Sequence, residues 1–338
     1  MTRFLIRRHR WATLLLGLPL LFTPLTVACR PLDAPTSERP EDVTPTVAGS
    51  GLELPTRSDL PVAPNGRHYP LVPLQANSTA TLLVGIETAL VDPDHDPAEI
   101  AQLAHQQQVI YRVLSHQPAF AAAVRDQLPS QLQWVFDQHI AARRSFLAMH
   151  RGPASTTLPA WRIQTPAPQD VLLKAYRSAA NATGIPWEVL AAVNLVETGM
   201  GRIDGVSVAN AQGPMQFLPT TWAEPGIGRD GNIRDPWDAI HAAARYLVRR
   251  GGLKDIRRGL WGYNNSDHYG KAVMHYAALL QREPLTYRGL YNWQIHYAAS
   301  AGDLWLHEGY AASSPVPVSV HLKRYPHSAP PQRAKPSL

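Results

Sequence analysis

From residue 79 onward, apolar positions recur every three or four residues, the spacing of helices that bury one face. Thr79 to Leu90 is a short apolar segment. Asp96-Pro97-Ala98-Glu99 then reads as a helix start, with Asp as cap, Pro at the first position and Glu in the first turn. Ile100, Leu103, Ala104, Val109, Ile110, Val113 and Leu114 supply its apolar face. Pro118 and Pro129 punctuate two further helices, which carry Phe120, Val124 and Leu128, then Leu132, Val135, Phe136 and Ile140. Asp170 to Ala182 follows the same rhythm, with Val171, Leu172, Ala175, Tyr176 and Ala179 on one side.

Residues 184–222 hold the most informative pattern. Pro186 suits a first helical position, where a missing N–H costs nothing, and Glu188 falls in the first turn. Val189, Leu190, Val193 and Val196 recur at helical spacing, and Gly199 and Gly201 stop the run. Glu197 lies in the last turn, seven residues beyond Leu190 and so nearly above it on the helix. Two readings are open for Glu197. Sheltered at the edge of the apolar stripe and near the negative end of the helix dipole, it keeps its proton and serves as a general acid. Turned sideways, it is an ordinary solvated glutamate.

Further on, Asp235-Pro236-Trp237-Asp238 reads as a second capped start, leading into a helix that turns Ile240, Ala243, Ala244 and Leu247 inward and ends at Gly251-Gly252. Ser266 caps another, with core positions Val273, Tyr276, Ala277 and Leu280. Tyr287, Tyr291, Trp293 and Tyr297 form an aromatic run, read as core packing ahead of sugar stacking. Histidines 105, 116, 139 and 150 lack ligand spacing and read as surface residues. The loop at residues 225–235 has too few acids and no terminal Glu for a calcium loop, so no metal is expected, and no cofactor.

The N-terminus changes the setting. Arg3, Arg7, Arg8 and Arg10 precede an almost wholly apolar run from Trp11 to Ala28, the layout of a signal peptide. Cys29, the only cysteine, follows directly, as at a lipidation site, and has no partner for a disulfide. Residues 30–75 are rich in Pro, Thr, Ser and Asp without apolar period and read as a tether. The net charge of +6 and pI near 9.5 suit an acidic partner. No basic stripe with interleaved aromatics argues for nucleic acid, so an anionic wall or membrane surface is the better match. The expected location is the cell envelope, as a membrane-anchored lipoprotein, or otherwise the periplasm or the exterior.

Around Glu197 the residues resemble a known family. Val196-Glu197-Thr198 ends a helix, Ser207 follows in the next loop, Gly213-Pro214-Met215-Gln216 comes after it, and Gly262-Tyr263-Asn264 lies downstream. This order resembles the lytic murein transglycosylases of the lysozyme-like superfamily, of an actinobacterial-like or membrane-bound type B-like kind. The resemblance spans roughly residues 168–300. It implies a mainly α fold: a lysozyme-like transglycosylase domain over 169–312, with a groove between lobes, preceded by an α-helical accessory region. The domain map is then 1–28 signal peptide, 29–78 tether, 79–150 accessory helices, 151–168 linker, 169–312 catalytic domain and 313–338 Pro-rich tail.

By the same resemblance, Glu197 is the catalytic residue. Ser207 binds near the N-acetyl group. Met215 and Gln216 line the cleft. Tyr263 places its hydroxyl close to Glu197 and orients it, and Asn264 braces the motif. The implied partner is the glycan strand of peptidoglycan, with the membrane reached through a lipid on Cys29. Cleaving a glycosidic bond usually takes two carboxylates, and only Glu197 has a catalytic context here, which fits the substrate-assisted exception. A muramidase-type hydrolase on the same fold and a non-catalytic wall-binding module remain open as alternatives. Oligomeric state is not legible.

Overall fold

The computed structural model describes residues 47–48, 51–149 and 152–331. The apolar run, Cys29 and His150 lie outside the described residues. The chain is mainly helical, as expected. In chain order it runs β1 (Val47–Ala48), β2 (Gly51–Leu52), α1 (Ala76–Val91), α2 (Pro97–Ser115), α3 (Pro118–Gln127) and α4 (Ser130–Met149). Then follow β3 (Thr157–Leu158), β4 (Trp161–Ile163), α5 (Gln169–Thr183), α6 (Trp187–Thr198), β5 (Ile203–Gly205), α7 (Pro219–Trp222) and α8 (Pro236–Arg249). The last elements are α9 (Ile256–Tyr263), α10 (Asp267–Arg282), α11 (Thr286–Asn292), β6 (Ile295–Ala299), β7 (Gly302–Leu306), β8 (Val316–Pro317) and α12 (Val318–Arg324). The strands form antiparallel pairs: β1 with β2, β3 with β8, β4 with β5 and β6 with β7.

The helix starts follow their cap chemistry. Asp96 accepts from Ala98 N, Asp235 from Asp238 N, Asp255 from Arg257 N and Ser266 from Tyr269 N. Each side chain satisfies one of the N–H groups that a helix start leaves unpaired. Pro186 departs from its expected place: it is the cap residue, with extended ψ of 137°, and the helix begins at Trp187.

The helix α6 is more than amphipathic. Residues Val189 through Leu195 are all buried, so the helix is enclosed all round and not on a single apolar face, with Asn194 as the one polar residue of that run. It is the axis of the domain, packed by α5, α8 and α10. Burying each Val or Leu there contributes roughly 1.5–3 kcal/mol. One core joins α6 to the accessory helices, because α10 packs on α6 and also on α4.

Three stretches read as non-structural pack against this body. Within 29–78, Pro55, Ala63, Tyr69 and Pro73 are buried, and Tyr69 donates to the Asp303 carbonyl at 2.7 Å. Apolar side chains spread among prolines escape a periodicity test, yet each finds a groove. Within 151–168, Leu158 and Ile163 are buried in β3 and β4. Within 313–338, β8 and α12 bury Val318 and His321. The second and third of these pieces share a small core with the β6–β7 hairpin, while Ala63 and Tyr69 of the first pack with Val109 and Trp305.

Buried polar groups tie the accessory helices to that hairpin. Gln106, Gln107 and Gln108 are consecutive and all buried. Gln106 donates to Leu71 O, Gln107 accepts from Trp293 Nε1, and Gln108 exchanges two bonds with the backbone of Gln294. Asp303 in β7 pairs with Arg112 of α2. His105 and His139, read as surface residues, are buried; His105 Nε2 lies 2.9 Å from His296 Nε2, and His139 stacks on Tyr111 at 4.2 Å. Neither contact can be read from local spacing, since the partners come from elsewhere in the chain. In the aromatic run, Tyr287 and Trp293 are buried in the main core, while Tyr291 and Tyr297 are half-buried.

Candidate active site

Glu197 sits one residue before the end of α6, where Gly199 takes a left-handed φ of 61°. That conformation lets Gly199 N and Met200 N return to the carbonyls of Leu195 and Asn194, at 3.0 and 3.2 Å. The helix end is then pegged to the next turn. Asn194 Nδ2 and Thr198 Oγ1 both donate to the Pro214 carbonyl, at 2.7 and 2.6 Å. Tyr176 donates to Asn194 Oδ1 at 2.6 Å and holds that amide. The backbone carrying Glu197 is thus fixed from both sides.

The Glu197 carboxyl is half-buried. Burial pushes its pKa up to about 7, and a single hydrogen bond offsets part of that push. The donor is Tyr269, whose hydroxyl lies 2.7 Å from Glu197 Oε1. The expected donor was Tyr263. Its hydroxyl instead donates to the Met215 carbonyl at 2.7 Å, and its ring lies parallel to that of Tyr269, centroids 6.3 Å apart. Tyr263 therefore supports the site through Tyr269 and the 213–217 turn. Both tyrosine hydroxyls hold their protons well above the ordinary range, through burial and the neighbouring carboxylate.

Tyr269 was missed in the sequence, but a signal existed. Counting back from the inward positions Val273, Tyr276 and Leu280 of α10 by one helical turn reaches it. That count marks Tyr269 as turned inward; its meeting with Glu197 comes from the packing of α10 on α6.

The other expected residues divide. Met215 is fully buried, so it packs in the core and does not line a cleft; it contributes its carbonyl to Tyr263. Gln216 is half-buried with a left-handed φ of 48°, and its Nε2 returns to Gly213 O at 3.0 Å. Gly213 is required at that turn: a Cβ there would lie 1.9 Å from the Ile233 carbonyl oxygen. Ser207 Oγ accepts from Ala209 N and Ala211 N, at 3.2 and 3.0 Å, so it shapes its own loop. Beside it Val208 stands fully exposed. Asn264 is exposed, and its N–H closes α9 on Leu260 O.

The remaining carboxylates of this stretch are mostly committed elsewhere. Asp204 bridges Arg162 and Arg234, Glu224 pairs with Arg249, and Asp235 and Asp238 accept backbone N–H groups. No three His, Cys, Asp or Glu side chains converge as metal ligands among the described residues. Two surface cavities, of about 240 and 180 Å³, are lined by other residues, and the Glu197 side chain is partly open to solvent.

An acid held near neutrality at a rigid helix end, hydrogen-bonded to a buried tyrosine, can donate a proton and take one back. No curated protein and no solved structure matches the chain. A family model does: residues 174–276, which contain Glu197, Tyr263 and Tyr269, match the model of the transglycosylase SLT domain, and the mainly helical architecture is consistent with a lysozyme-like domain of that kind preceded by a helical region.

Proposed function

We propose that the chain is a lytic transglycosylase that cleaves the bond between N-acetylmuramic acid and N-acetylglucosamine in peptidoglycan, with Glu197 as acid and then base. The observation that carries this reading is the half-buried Glu197 carboxyl, held near pKa 7 and fixed by Tyr269. In the first step Glu197 gives its proton to the bridging oxygen, and the bond from that oxygen to the muramyl C1 breaks. The substrate's own N-acetyl oxygen supports the electron-poor C1, in the place a second carboxylate would take. In the second step Glu197, now ionised, removes the proton of the muramyl C6 hydroxyl. That oxygen closes on C1 and displaces the N-acetyl oxygen. Water is not consumed, and Glu197 ends protonated as it began.

Supporting roles follow from the bonds that remain free. Ser207 Oγ accepts two backbone N–H groups, which leaves its own O–H to donate toward the N-acetyl carbonyl. Gln216 spends its amide N–H on Gly213 and keeps Oε1 for a sugar hydroxyl. Asn264 braces the α9 end. The chain is exported, with Cys29 lipidated and the protein thereby held at the membrane; the finer kinship is actinobacterial-like or membrane-bound type B-like.

Mass spectrometry of digested sacculi tests the reaction. Anhydromuramyl ends support it; reducing ends assign a muramidase instead. Unchanged turnover of purified sacculi in Glu197→Gln overturns the catalytic assignment of Glu197, and no turnover by the wild type leaves a wall-binding module. Metabolic labelling with a fatty acid tests the anchor separately: no label on wild type removes it.

A further inference from the structure

The segment from Arg245 to Trp261 carries six cations and one carboxylate, against a net charge of +6 for the whole chain. Three of the six make internal bonds: Arg245 donates to Ile227 O, Arg249 pairs with Glu224, and Arg250 donates its Nε to Gly262 O. Arg250, Lys254, Arg257 and Arg258 are exposed, and none of these four pairs with a carboxylate among the described residues. The lone acid, Asp255, is taken up capping α9.

The geometry of α9 gathers these charges around a tryptophan. At about 100° per residue, Gly259, Leu260 and Tyr263 share the face turned to the core, and Arg257, Trp261 and Arg258 fall together on the opposite face with Trp261 between them. Trp261 is 50% exposed, and Leu253, in the turn just before α9, is 59% exposed. Arg250 lies alongside, its Nε donating to the Gly262 carbonyl. The charges are split between a helix end, a turn and a second helix, which hides them from a search for one basic stripe.

We propose that this surface docks the domain onto an anionic lipid bilayer, with Trp261 and Leu253 entering the headgroup layer and the four cations meeting lipid phosphates. Two observations favour a bilayer. Apart from Asp255, whose Oδ1 caps α9, the side chains of the patch offer donors and apolar surface, whereas recognition of neutral sugar hydroxyls calls for several acceptors as well. An indole among Arg and Lys, with an apolar neighbour, is the composition that seats at a membrane–water boundary.

The test is co-sedimentation of the full chain with vesicles of phosphatidylcholine alone and of phosphatidylcholine with 30% phosphatidylglycerol, a composition of about that order being enough to set up a negative surface potential. Binding to the neutral vesicles measures what the N-terminal run contributes. The increment on anionic vesicles is expected to fall with salt, and to fall on the order of 100-fold in the charge-reversed variant Lys254→Glu, Arg257→Glu, Arg258→Glu. Circular dichroism confirms that this variant folds. With dibrominated phosphatidylglycerol, fluorescence quenching is expected to be smaller in Trp261→Phe than in wild type. An increment that the charge reversal leaves intact overturns the proposal and assigns the effect to basic residues elsewhere in the chain. Tight binding to polyphosphate without any Trp261-dependent quenching overturns it in favour of a soluble polyanion.

Discussion

Tyr269 and Glu197, 72 residues apart, meet through one hydrogen bond of 2.7 Å. The bond steadies a carboxyl at the edge of solvent and prefers its ionised form. It thereby counters the burial that raises the carboxyl to about pKa 7. Removing the hydroxyl in Tyr269→Phe is expected to lower kcat about tenfold or more, since hydrogen bonds to charged groups are worth roughly 1.5–3 kcal/mol. The same change moves the alkaline limb of the pH–rate profile to higher pH, because the carboxyl then keeps its proton longer. A lower rate with an unmoved limb assigns Tyr269 a packing role only.

The first proton transfer needs Glu197 protonated. For wild type, kcat/KM is expected to be level below about pH 7 and to fall tenfold per pH unit above it, following the raised carboxyl. Glu197→Gln removes the titrating group and lowers turnover by about 10²–10⁴, the usual worth of a positioned acid–base residue. A pH profile on purified sacculi checks both.

Glu87, buried in α1 and hydrogen-bonded by Tyr111 at 2.7 Å, supplies a stability test away from the site. Burial raises it from the ordinary 4.5 to about 6. A raised carboxyl binds its proton more tightly in the folded state. Its stabilisation is therefore complete below pH 4.5 and lost as pH rises through about 6. Glu87→Gln, which stays neutral, is expected to flatten that decline by about 2 kcal/mol. Urea titrations at several pH values measure it; equal slopes in both proteins would count against a buried, titrating Glu87.

Gly213 meets the Ile233 backbone too closely for any side chain. Gly213→Ala is expected to cost more than about 2 kcal/mol, combining a left-handed φ with the clash. The turn it distorts also carries the Pro214 and Met215 carbonyls that hold Thr198 and Tyr263. Activity should therefore fall further than stability alone accounts for, in assays run well below the melting temperature.

The sequence by itself determined the helices with strong caps, such as α8 and α10, because caps act within a few residues. It also singled out Glu197, since the end of an apolar helix is a local feature. Tertiary structure decided what surrounds that acid. Tyr263 and Tyr269 sit on consecutive helices and both face inward; which hydroxyl reaches Glu197 depends on how α10 lies across α6. Met215 was assigned to a cleft and is buried because the turn bends it into the core. The Pro-rich stretches around Tyr69, Leu158 and Val318 carry no period, so only docking against distant helices gives them structure. His105, His139 and the three consecutive glutamines of α2 tell the same story: a polar side chain can be buried when a partner from far along the chain completes its bonds, and no window of neighbouring residues contains that partner.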